Sequence, residues 1–230
     1  MNLSKRILSI SLLCLCTCWA QAQPYGNYDI RQALVSTEQG EHHINITYVN
    51  QVFLDLHKHA RSYPPQFDTP QDQQRATQDA SMVAKVFETL LQSQPDNVQI
   101  LERTSMSYYI AHNLDIPGAA HKANTIYRQW VTLMPNDPQG NYMYGEFLSS
   151  IGDVQTATPF LEKALELGQN EANFALGLNA LRLGDTQGAI VFLQEYQKTN
   201  PQNTDVQKII EAIQSGSIEV HQSPGPGIRP

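Results

Sequence analysis

Small residues recur through the second half of the chain at a spacing that few folds produce. Gly118, Gly152 and Gly184 each precede a helix-like stretch, and they stand 34 and 32 residues apart. Five residues after each comes an alanine, Ala123, Ala157 or Ala189, and nine after each comes a large apolar residue, Tyr127, Leu161 or Leu193. Three further on are Trp130, Ala164 and Tyr196. Seven residues before each glycine stands another small residue (Ala111, Gly145, Gly177), and eight before it a large apolar one (Ile110, Tyr144, Leu176). Pro135 and Pro201 close the first and third units. A period near 34 residues is the length of one helical hairpin. The glycine serves as tight turn and helix stop, the small residues let two backbones approach, and the large ones fill the space beside them. One hairpin cannot bury its apolar face alone, so neighbours must stack.

At these residues the chain resembles the tetratricopeptide repeat (TPR) family, most closely in the segment Ala157-Thr158-Pro159-Phe160-Leu161-Glu162-Lys163-Ala164-Leu165-Glu166-Leu167, which looks like a second repeat helix. The resemblance covers three units over residues 98–201. It implies an all-α fold, an α-solenoid of antiparallel hairpins wound into a right-handed superhelix, with a C-terminal capping helix. The usual tryptophan early in the first helix is absent, with Ser107, Asn141 and Asn173 in its place. The middle unit carries Gly168-Gln169-Asn170 where a closing proline is expected, and the first unit has a longer first helix, from about Asn97.

Helix-start signals agree with this reading. Asp96, Asp137, Asp153 and Asp185 precede apolar-periodic stretches, and Pro138 occupies a first helical position. Pro159 is expected to delay the start of its helix toward Gln155 or Thr156. Residues 70–94 read as a further helix after Thr69-Pro70, with Val83, Phe87, Leu90 and Leu91 as its stripe. Residues 44–62 read as helix through Tyr48, Val52, Leu56 and Ala60, although Ile44, Ile46 and Val49 also suit a strand. The resulting division is a signal peptide over 1–22, an irregular segment over 23–43 and a divergent helical hairpin over 44–96. Three TPR-like repeats follow over 97–202, then a capping helix over 203–216 and a disordered Pro/Gly tail over 217–230.

The first 22 residues have the three parts of an export signal: Lys5 and Arg6, an apolar run from Ile7 to Trp19, and Ala20-Gln21-Ala22 as a cleavage site. The run is shorter than the roughly 20 residues of a spanning helix. Cys14, Cys16 and Cys18 raise lipidation as an alternative, but Leu15-Cys16-Thr17-Cys18 fits that signal poorly. Cleavage after Ala22 removes every cysteine, leaving no disulfide, thiolate site or cysteine nucleophile. It also removes two positive charges from a formal net charge of −7, leaving −9. Such a balance argues against nucleic acid and against docking on an anionic membrane. The expected location is periplasmic or secreted.

No catalytic fingerprint is present: no nucleophile elbow, no zinc-protease motif, no phosphate loop and no dinucleotide loop. No cofactor and no metal is expected. Glu41-His42-His43 and Asp55-Leu56-His57-Lys58-His59 contain ligand types, but on a helix His57 and His59 point to different faces. His112 and His121 are isolated and read as surface or groove residues.

Ten residues before each turn glycine stand Tyr108, Tyr142 and Phe174, with His112, Glu146 and Leu178 four residues further on and Arg182 in the third unit. The resemblance places these on the concave face of the superhelix. It implies a protein- or peptide-binding face lined by Tyr108, His112, Tyr142, Glu146, Phe174 and Arg182. The Lys/Arg/Asn cluster with which some members grip a terminal carboxylate is not matched, so an internal peptide or a folded surface is the expected partner. The function implied is a non-catalytic scaffold of the cell envelope, in assembly or secretion. A self-assembling structural module is the alternative, and an enzyme or metal-binding protein using residues 23–70 the remote one.

Overall fold

A computed structural model describes residues 24–36 and 42–217. The export signal, the cysteines, Glu41 and the Pro/Gly tail beyond Ser217 lie outside the described residues. Nine α-helices follow one another among the described residues. They are α1 (Ile46–Ala60), α2 (Pro70–Ser93), α3 (Val98–Asn113), α4 (Ala119–Leu133), α5 (Pro138–Ser150), α6 (Val154–Glu166), α7 (Ala172–Arg182), α8 (Thr186–Thr199) and α9 (Thr204–Gln214). Each packs chiefly on its neighbours in sequence, and α1 also touches α3 as α5 touches α7. This is an α-solenoid in which α1, α3, α5 and α7 are first helices and α2, α4, α6 and α8 second helices. No helix among the described residues is long and apolar enough to cross a membrane.

Close approach within a hairpin depends on the small residues. A Cβ on Gly145 would lie 2.6 Å from Leu161 Cγ and 3.2 Å from the carbonyl oxygen of Ala157; one on Gly177 would lie 2.8 Å from Leu193 Cγ. Leu161 and Leu193 are themselves fully buried. Each glycine thus fixes the distance between a first and a second helix, and added volume there forces the pair apart.

The helix stops follow one pattern with one substitution. Gly152 and Gly184 are left-handed at φ 89° and 83°. In both cases the next N–H donates back across the helix end, Asp153 to the Leu148 carbonyl at 2.9 Å and Asp185 to the Ala180 carbonyl at 2.9 Å. This bond and the adjoining shorter one satisfy carbonyls that the helix end leaves open. In the first unit the stop is not Gly118. Asp115 takes the left-handed conformation at φ 59°, and Ile116 N–H donates to the Ala111 carbonyl at 3.0 Å. Gly118 instead caps the N-terminus of α4. Aspartate is among the few side chains that tolerate this region. The stop therefore falls three residues earlier in the first unit than a glycine alignment implies, although the second helices remain aligned at Ala123, Ala157 and Ala189, all fully buried. Gly168 makes the same stop in the middle unit, with Gln169 N–H donating to the Ala164 carbonyl at 2.9 Å, so no proline is needed there.

Two helix starts differ from expectation. Asn97, not Asp96, caps α3 through Gln99 and Ile100 N–H. α6 begins at Val154, capped by Asp153, and runs through Pro159 without delay. The proline removes a donor to Gln155, whose exposed position leaves its carbonyl to solvent. Asp137, Asp153 and Asp185 do cap their helices.

Residues 24–36 and 42–44 are ordered into a strap rather than left irregular. A 3-10 turn (Ile30–Ala33) leads into β1 (Leu34–Ser36), which pairs antiparallel with β2 (His42–Ile44) in the register Leu34 to Ile44. Ile44 thus lies on a strand, while Ile46 and Val49 belong to α1. Tyr25 is buried, and its hydroxyl donates to Asp79 Oδ2 on α2 at 2.9 Å. Gly26 N–H and Tyr28 hydroxyl both donate to Asp55 Oδ2 on α1, each at 2.9 Å. Tyr48 hydroxyl accepts from Asp29 N–H. His59 stacks on Phe67 with centroids 5.1 Å apart, and its Nδ1 lies 2.9 Å from the Gln66 carbonyl. Periodicity gives no sign of this strap because its partners are side chains up to 54 residues away. At the other end α9 lays Val206, Ile210 and Ile213 on Leu181, Ala189 and Leu193, an apolar cluster separate from the main core.

Candidate functional site

The ends of the first helices are stitched to one another. Asn113, on the last turn of α3, donates from Nδ2 to the carbonyls of Ala60 and Arg61 at 2.9 and 2.8 Å. Arg182, on the last turn of α7, donates from Nη1 to the Ser149 carbonyl at 2.6 Å, and Asn179 Nδ2 donates to Ser149 Oγ at 2.9 Å. Asn113 and Arg182 stand two residues before their respective stops, Asp115 and Gly184. Both donate to carbonyls at the C-terminus of the preceding first helix, where the positive charge of Arg182 is also favoured.

Counting back from Ala123, Ala157 and Ala189 of the second helices gives two rows: His112, Glu146 and Leu178 eleven before them, all half-buried, and Tyr108, Tyr142 and Phe174 fifteen before them. Arg61, the C-cap of α1, reaches Glu146 on α5 with Nη2 3.2 Å from Oε2. The pair spans α3. Its side chains are 42% and 29% exposed, so its contribution to stability is about 0–1 kcal/mol and its main effect is orientation. Tyr142 is half-buried one turn before Glu146, and burial, then Glu146, raise its phenol well above the usual range. Tyr109 packs edge-on against Phe147 at 5.4 Å, and burial pushes its phenol up to about 12.

Tyr108 keeps the phase of Tyr142 and Phe174, fifteen residues before Ala123 as they are before Ala157 and Ala189, but its hydroxyl is committed elsewhere. It donates to Glu88 Oε2 on α2 at 2.6 Å, and Lys122 of α4 lies 5.9 Å over its ring while also pairing with Glu88. Phe174 packs on Tyr196 of α8 at 5.2 Å, so its ring supports its own hairpin. His112 is half-buried near the end of α3, and Arg182 is exposed with its guanidinium committed in part to Ser149. The structure thus brings Tyr142 and Glu146 together, adds Arg61, Tyr109 and Asn113, and turns Tyr108 toward the second helices.

The seam between α1 and α3 is basic. Arg103 holds its guanidinium 4.8 Å over the Phe53 ring. His57 lies beside Phe53, and burial, then Arg61 and Arg103, push its pKa below the usual value. A cavity of about 320 Å³ lies at the end of α1, lined by His57, Lys58, Arg61, Ser62 and Gln66 among others. Among the described residues no group of three or more histidine, cysteine or acidic side chains is placed to hold a metal ion. His59 faces the strap and His57 the seam, two walls of one helix.

No family model and no curated protein matches the sequence. Solved structures do match the fold. A crystal structure of MamA aligns with a TM-score of 0.53 at 21% identity, covering 66% of this chain and 86% of that one. TTC0263, a thermophilic TPR protein in Thermus thermophilus, aligns with a TM-score of 0.52 at 14% identity, over 74% and 92%. MamA 41-end from Desulfovibrio magneticus RS-1 gives 0.53 at 17%, over 63% and 81%. At such identities the likeness is one of backbone architecture, and it coincides with the hairpin period and the stitched first helices. The chain therefore has the fold of the tetratricopeptide repeat proteins, a TPR-like α-solenoid.

Proposed function

We propose that the protein is a non-catalytic scaffold that receives a protein or peptide along the face of its first helices. The carrying observation is the group of Tyr142, Glu146 and Arg61, which joins α1 and α5 across α3 and leaves partly exposed aromatic and charged groups side by side. A tyrosine in such a place offers contact area with little rotamer entropy to lose, and the ion pair offers orientation. The amino-terminal sequence supports export, so the reading extends to a role in the cell envelope, in assembly or secretion. A fusion of the first 30 residues to a reporter active only outside the cytoplasm tests export; an inactive reporter removes that part.

The binding face is tested by affinity capture from an envelope extract with three baits: wild type, Tyr142→Ala and Lys122→Ala. The expected result is a partner retained by wild type and by Lys122→Ala, whose change lies against the second helices, and lost by a still-helical Tyr142→Ala. Retention by all three places the partner elsewhere.

Self-association is the second reading, and one observation favours it. Leu34 and Val35 are 59% and 45% exposed on the short ribbon β1–β2, which pairs with no other strand among the described residues. An open edge of this kind is a template for pairing. Sedimentation across a wide concentration range decides: a monomer throughout removes the reading.

A further inference from the structure

The basic seam stands out against an acidic chain. The whole sequence carries 15 Lys and Arg against 22 Asp and Glu, yet Arg61, Arg103 and His57 converge where α1 meets α3, with Lys58 lining the cavity beside them. Two of these cations have other commitments, Arg61 to Glu146 and Lys58 at 3.7 Å to Asp55. The guanidinium of Arg103 rests on the Phe53 ring, which orients its plane while leaving the N–H donors at its edge available.

We propose that this seam receives an acidic segment of the partner, with a side-chain carboxylate entering between Arg103, Arg61 and His57. The inference rests on the scaffold reading above and names the chemistry of its ligand. The charged groups acting on His57 are Arg61 on α1 and Arg103 on α3, with Glu146 on α5 behind Arg61; Lys58 pairs with Asp55, whose other oxygen accepts from the strap. In the unliganded protein burial and the two arginines oppose a charge on His57. An entering carboxylate offsets both guanidiniums and favours the imidazolium. Binding is therefore linked to proton uptake and tightens as pH falls toward about 6. A blocked peptide, acetylated and amidated, isolates side-chain carboxylates from any terminal one.

The experiment measures binding of blocked hexaglutamate and blocked hexaglutamine to the full chain by calorimetry, at low salt, between about pH 6 and 8. Hexaglutamate is expected to bind and hexaglutamine not, with affinity rising toward the acid end. Arg103→Gln is expected to weaken binding about 10-fold, with Arg103→Lys recovering part of it. His57→Gln is expected to remove the pH dependence, and thermal melts confirm that each variant folds. Equal binding of both peptides, no binding of hexaglutamate, or binding indifferent to Arg103→Gln overturns the proposal. If hexaglutamate fails while Tyr142-dependent capture persists, the acidic chemistry falls and the scaffold reading stands. If capture fails while hexaglutamate still binds at the seam, the reverse holds.

Discussion

The two ends of the array solve the same problem by opposite means. A stack of hairpins leaves an open apolar face at each terminus. The C-terminal face is closed by α9, whose Val206, Ile210 and Ile213 repeat the burial pattern of a first helix. The N-terminal face is closed by an extended strap held through Tyr25–Asp79, Tyr28–Asp55 and Gly26–Asp55 hydrogen bonds. The first closure is apolar and tolerant of geometry. The second places a carboxylate, Asp79, in the interior, where burial pushes its pKa up although the Tyr25 hydroxyl pulls the other way. A polar closure carries direction and pH sensitivity that an apolar one lacks.

The largest expected effect tests the apolar end. Leu193→Ala, at the centre of the C-terminal cluster, is expected to lose about 2–5 kcal/mol of stability. Hydrogen exchange should then quicken in α7–α9 and leave α1–α3 unchanged; uniform acceleration would show that the two clusters melt as one. Next comes the polar end. Tyr25→Phe deprives the buried Asp79 of its donor and is expected to lose about 1–3 kcal/mol at neutral pH. If the loss is the same in an Asp79→Ala background, which has no acceptor, the hydrogen bond is not the cause.

The pH response separates the ends more finely. Asp79 has a folded pKa above its ordinary value, so its favourable contribution is complete below the usual carboxylate range and is lost as pH rises through the raised pKa. Asp79→Asn is expected to flatten the rise in stability on acidification from neutral pH, without loss at neutral pH, in urea melts at several pH values. Tyr25 is displaced the same way, raised by burial and then Asp79, so its contribution holds below the usual phenol range and fades above it. The smallest effect concerns helix caps. Asn45 accepts from Tyr48 N–H at the start of α1, whereas Asn203 makes no such bond at the start of α9. Asn45→Ala is expected to lose about 1 kcal/mol, and Asn203→Ala a few tenths.

The same contrast explains what the sequence disclosed. α9 was legible because Val206, Ile209, Ile210 and Ile213 keep a helical period, and the second helices because Ala157 and Leu161 recur in Ala189 and Leu193. The strap was not, since Tyr25 and Asp79 are 54 residues apart and no local pattern links them. Of the candidate site, the adjacency of Tyr142 and Glu146, one turn apart on one helix, follows from spacing alone. The bond from Tyr108 to Glu88 reaches another helix, and Arg61 and Arg103 belong to the divergent first hairpin and to the long start of α3, so spacing within the repeats points to none of these contacts.

The early stop also sets the length of a connection. α3 ends at Asn113 and α4 starts at Ala119, leaving residues 114–118 between them, whereas the next units connect through residues 151–153 and 183–185. Added length in a connection costs little in closure, and the buried pair Ala111 and Ala123 keeps the same 12-residue separation as Gly145 and Ala157. The turn over residues 114–118 is therefore the place where this array takes up a change of length without disturbing how its helices pair.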